Sequence, residues 1–105
     1  MKTDNIEYCK RIALELEKIY ESDDYGLPEY IAENVLDVQY IMNCNKEVQH
    51  VRLYVTIGGP TVWIDTEYNA VKLTWGTESA EYGLNWDVCD TIESYYYDLV
   101  EMDGY

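Results

Sequence analysis

Five carboxylates, Asp87, Asp90, Glu93, Asp98 and Glu101, share the last amphipathic segment of the chain, with Tyr97 among them. Val88, Ile92, Tyr95, Tyr96 and Leu99 recur there at helical spacing and predict the buried face of a helix. Asn85 is its expected N-cap, and the helix stops before Gly104. The acids fall opposite or beside that apolar stripe. Like charges three and four residues apart cost a helix about 0.2–0.5 kcal/mol per pair, and a merely wet face would intersperse Lys. Here no Lys or Arg occurs from Leu73 to Tyr105. Four residues of helix rise about 6 Å, a distance comparable to the separation of neighbouring phosphates along one nucleic-acid strand. A row of carboxylates at that spacing can take the places that phosphates hold before Arg and Lys. Asp87, Asp90, Glu93, Tyr97, Asp98 and Glu101 are therefore candidate partner-binding residues. A second acidic cluster, Glu21, Asp23, Asp24 and Glu29 with Glu33, extends the same surface if the fold brings the two together. The competing reading is a solvated acidic face that contacts nothing.

Other chemistry is sparse. The single histidine, His50, lies beside Arg52 on an expected strand, and no Ser or Cys is tied to it by a nucleophile motif, so it reads as a surface or strand-pair residue. Asp65-Thr66-Glu67-Tyr68-Asn69 spaces oxygen donors faintly like a calcium loop. Ala70 stands where that loop needs Gly and Gly76 where it needs the bidentate Glu, which argues against a metal site. Gly58-Gly59-Pro60 has no lysine and no helix behind it, so it is an inter-strand turn rather than a phosphate loop. Cys9, Cys44 and Cys89 are odd in number and form no CxxC pair, the pattern of free thiols in a reducing compartment. No catalytic residue, cofactor or metal is expected, and the chain does not read as an enzyme.

Composition narrows the partners. Over 105 residues, 7 Lys+Arg stand against 21 Asp+Glu, a formal charge of −14, with a pI near 4.1. Direct nucleic-acid binding is excluded, because nothing displaces counterions from phosphates, and docking on an anionic membrane is disfavoured. Yet 48% of residues are hydrophobic and 14% aromatic, too apolar for an acidic disordered tail. Twelve tyrosines and no phenylalanine keep a polar tip on nearly every ring. Tyr25, Tyr97 and Tyr105 are the tyrosines expected at contacts. The N-terminus lacks a signal-peptide pattern and no apolar run reaches a membrane span, so a cytoplasmic location is expected.

The elements that must position these residues read as one α+β domain, residues 1–105. Asp4 and Glu7 resemble a capping box, and Ile6, Cys9, Ile12, Ala13, Leu16, Ile19 and Tyr20 predict a first helix. Pro28 and Glu29 suit the start of a short second helix over 28–35. The period then changes to two. Leu36, Val38, Tyr40 and Met42 predict one strand, and Val51, Leu53, Val55 and Ile57 a second. Val62–Asp65 is a third, Val71, Leu73 and Trp75 form the inward face of a fourth, and Ala80–Leu84 adds an edge strand. Short connections imply an antiparallel four- or five-stranded meander, with the N-terminal, short second and C-terminal helices packed on one face.

Gly58-Gly59-Pro60-Thr61-Val62-Trp63-Ile64-Asp65-Thr66, followed by Val71-x-Leu73-x-Trp75-Gly76, resembles small acidic proteins of phages and integrative elements of Gram-positive bacteria, of the anti-CRISPR (type II) and antirestriction kind. The resemblance covers most of the second half and matches no functional motif. It implies an inhibitor that poses as nucleic acid before a basic nucleic-acid-binding protein, a CRISPR effector nuclease. The alternatives are a non-enzymatic mobile-element accessory protein that binds another basic host partner, and a small metal-binding domain.

Overall fold

The computed structural model describes residues 2–22 and 26–102. They form α1 (Lys2–Ser22), α2 (Gly26–Asn34), β1 (Asp37–Met42), β2 (Val48–Thr56), β3 (Thr61–Asp65), β4 (Ala70–Trp75), β5 (Glu78–Gly83) and α3 (Trp86–Met102). The strands make one antiparallel sheet in the order β1-β2-β3-β4-β5, so every neighbour in the sheet is a neighbour in the chain. The expected α+β meander with its three helices is the observed fold.

Alternation sets the faces. Val51 and Leu53 of β2, Val62 and Ile64 of β3, and Val71 and Leu73 of β4 are essentially inaccessible to solvent. They meet Cys9, Ile12, Ala13 and Leu16 of α1, Leu27, Tyr30 and Ile31 of α2, and Val88, Cys89, Ile92, Tyr96 and Val100 of α3 in one core. Each large apolar side chain buried there contributes about 1.5–3 kcal/mol. α1 lies over β4 and β5, α3 over β2, and α2 packs beside α1. The alternate residues Arg52, Tyr54, Trp63 and Lys72 occupy the other face, half-buried or more open.

Turn chemistry holds the register. Asn43 Oδ1 accepts from the backbone N–H groups of Asn45 and Glu47 (2.9 and 3.0 Å), closing the β1–β2 hairpin around Lys46 at φ 63°. Asp65 Oδ1 does the same for Glu67 and Tyr68 (3.1 and 3.3 Å) in the β3–β4 turn. Gly76, at φ +63°, takes a left-handed conformation between Trp75 and Glu78, which pair across the β4–β5 hairpin.

Several expectations need correction. α1 begins at Lys2, so Asp4 lies in its first turn and faces the positive helix end rather than capping it. Ile6 is 43% exposed, and Asn5 beside it takes the buried place, 6% exposed and bonded to Glu78 of β5. α2 starts at Gly26, ahead of Pro28, and ends at Asn34, and β5 runs from Glu78 rather than Ala80. Leu36, Tyr40 and Met42 are exposed because β1 is an edge strand and α3 covers β2 beside it. Ile57 leaves β2 for the Gly58-Gly59 turn and is exposed. Trp75, expected inward, stands 55% exposed at the last position of β4. Leu99 is 37% exposed, and Val100 takes the inward place at the end of the α3 stripe. No helix among the described residues is long and apolar enough to cross a membrane.

Candidate functional site: the acidic face of α3

Asn85 starts α3 as expected: its side-chain oxygen accepts from the Asp87 N–H at 2.9 Å, and its carbonyl accepts from Val88 and Cys89. The Asn85 N–H in turn donates to Glu17 of α1 at 2.9 Å, which fixes where the helix begins. With Val88, Cys89, Ile92 and Tyr96 buried, Asp90, Ser94, Asp98 and Tyr97 must face outward. Asp90, Glu93, Ser94, Tyr97 and Asp98 line a shallow groove of about 230 Å³ whose far wall is Val48 and Gln49 of β2. Three carboxylates and a phenol therefore surround one concavity.

The members of the row are not equivalent. Asp87 sits in the first turn of α3, where a carboxylate stabilises the helix itself. Glu93 Oε2 lies 2.6 Å from His50 Nδ1, so this carboxylate already has a partner within the fold. Tyr97 donates to Glu47 Oε2 at 3.5 Å, a long bond that brings a further carboxylate to the rim. Asp90 and Asp98 are exposed and meet no Lys, Arg or His among the described residues. They are the charges most open to a partner. Glu101 lies in the last turns of α3.

The second cluster is elsewhere. Glu29 and Glu33 of α2 line a groove of about 310 Å³ with Glu15, Ile19 and Ser22 of α1. It shares no residue with the α3 groove. Glu21 is exposed near the end of α1, and Asp23, Asp24, Tyr25 and Tyr105 lie outside the described residues. His50 and Glu47, both part of the α3 groove or its rim, were not among the expected partner-binding residues. They reach α3 across 43 and 50 residues of chain, and no local motif marks that approach.

The faint calcium-loop reading of 65–69 dissolves in the geometry. Asp65 is 2% exposed and already bound to two backbone N–H groups, to Trp63 Nε1 at 3.2 Å and to Arg52 Nε at 3.5 Å. Among the described residues no group of three or more His, Cys, Asp or Glu side chains is placed to hold a metal ion. Cys9 and Cys89 are buried, Cys44 is exposed at the β1–β2 turn, and all three are free thiols. No protein family, curated protein or solved structure matches the chain in comparison.

Proposed function

We propose that the protein is a non-enzymatic inhibitor whose α3 carboxylates occupy a Lys/Arg-rich nucleic-acid groove of a host defence nuclease and exclude DNA from it. What carries the reading is Asp90 and Asp98: exposed, about two helical turns apart on the lining of one groove, and left without a basic neighbour among the described residues. The narrower form, a type II CRISPR effector as the target, rests on the resemblance of the 58–76 stretch. In such an effector the natural cavity is the one where paired arginines await guanine edges of the short adjacent motif. Tyr97 adds area and a hydroxyl at little entropic cost. Encounter between a −14 chain and a basic cleft is steered, fast and salt-sensitive.

The test is a DNA-cleavage assay with a type II effector, varying the order in which guide, protein and target are added. The protein added before target DNA blocks cleavage, and added duplex DNA relieves the block. The triple change Asp90→Asn, Glu93→Gln, Asp98→Asn lowers inhibition at least about tenfold, a loss of about 1.4 kcal/mol or more, with little change in melting temperature. Full inhibition by that folded variant at physiological salt removes this face from the mechanism.

A further inference from the structure

The two edges of the sheet are protected unequally. β5 carries Glu78 and Glu81, ends in Gly83 and lies under α1, from which Asn5 Nδ2 donates to Glu78 Oε1 at 3.2 Å. β1 carries one charge, Asp37, at its first position, with neither Lys nor Pro after it. Leu36, just before it, and Tyr40 and Met42 within it stand 65, 41 and 40% exposed. Natural edge strands are blunted by charge, proline, a bulge or an overlying element, because an open ladder invites another strand. From Val38 to Ile41 the β1 edge carries no charge, proline or bulge and pairs with no further strand among the described residues, and its single irregularity falls between Ile41 and Met42.

The helix that carries the acidic row lies over β2, the neighbour of this edge, and reaches β1 through Tyr96. Tyr40 packs edge-on against Tyr96 of α3, with ring centroids 5.9 Å apart. Met42 pairs with Val48, and Val48 lines the groove of Asp90, Tyr97 and Asp98. The last residue of β1 is thus one strand away from the wall of the carboxylate groove. We propose that β1 receives an extended, basic segment of the partner protein as a sixth strand, with apolar side chains on Leu36, Tyr40 and Met42 and Lys or Arg toward Asp90 and Asp98. In this mode main-chain hydrogen bonds supply affinity and alternate side chains supply specificity. Charge selects the occupant: a second copy sets −14 against −14 and repeats the acidic row across the seam, whereas a basic strand is complementary. The proposal rests on the reading of the α3 acids as partner-facing and adds how the partner is held.

The probe is an acetylated peptide of about ten alternating Lys and Val residues, long enough to span an ordinary strand. Its control has the same sequence and charge but is N-methylated on alternate backbone nitrogens. Binding is read by titration, and amide hydrogen exchange of Val38–Met42 by NMR. The unmodified peptide slows β1 exchange at least about tenfold and the N-methylated one does not. The pair Leu36→Lys, Met42→Lys weakens binding at least about tenfold at unchanged melting temperature, and Asp90→Asn, Asp98→Asn weakens it as well. Equal binding of the two peptides, or unaltered β1 exchange, reduces the interaction to charge attraction and overturns the proposal. Peptide-free protection of β1 with a doubled sedimenting mass assigns the edge to a second copy, and overturns it too. DNA-competed inhibition lost in the α3 triple variant is a separate readout, so strand addition and groove occupation fail independently.

Discussion

Asp65 shows how a carboxylate of this acidic chain becomes structural. Two turn N–H groups, an indole N–H and the Arg52 guanidinium surround it at the end of β3, while Arg52 also reaches Glu67 at 3.8 Å. Asp65→Ala frees those donors and leaves a buried gap, so it is expected to cost about 2–3 kcal/mol, read as a lower urea midpoint. The arginine's partial exposure keeps the cost below that of a fully buried pair. Burial also governs the thiols. It pushes Cys9 up to about 11 and Cys89 up to about 12, from an ordinary value near 9. Both are neutral in the fold at moderate pH, and the unfolded chain ionises first as pH rises. Stability is therefore unaffected by them below about pH 9 and falls as pH climbs toward 11–12. In urea titrations, Cys9→Ala with Cys89→Ala flattens the fall between pH 9 and 10.5, whatever it costs at neutral pH.

Each element was legible to the degree that its own period announced it. α1 and α3 carry long apolar stripes, and both were readable within a few residues. The middles of β2, β3 and β4 alternate at Val51 and Leu53, Val62 and Ile64, and Val71 and Leu73, because one face of each meets helices. β1 alternates just as cleanly, yet Leu36, Tyr40 and Met42 are exposed. Periodicity tells which side chains share a face, and it cannot tell whether a helix covers that face. Trp75 failed for the same reason, at a strand end beyond cover. The acidic row of α3 was readable from spacing, whereas its pairing with His50 and Glu47 depends on α3 docking along β2, a tertiary fact with no local signature. The N-cap of α3 belongs to this scale as well. Asn85→Ala removes the acceptor for Asp87 and is expected to cost about 1 kcal/mol, visible as a lower melting temperature. Asn85→Asp retains that acceptor and restores most of the loss.

At the scale of the molecule, −14 charges share a body of 43 × 32 × 22 Å. Like charges on so small a surface lie within a few Debye lengths at low salt, and their repulsion opposes the compact state. Raising sodium chloride from about 20 mM to about 300 mM screens that repulsion and is expected to raise the melting temperature by several degrees, since about 1 kcal/mol moves a domain this size by about 4–8 °C. An unchanged melting temperature would mean that local pairings such as His50–Glu93 and Arg52–Asp65 already offset the strain.

The sheet order β1-β2-β3-β4-β5 also fixes a schedule of assembly. Each strand's neighbour is the next one synthesised, and hairpins zip within about 1–10 μs. The helix that closes over β4 and β5 is instead synthesised before the whole sheet, and its Asn5 must find Glu78 across 73 residues. The apolar stripe of Cys9, Ile12, Ala13 and Leu16 is thus made before the strands that shelter it, and its contacts with the far edge of the sheet are among those that close the longest loops of the fold.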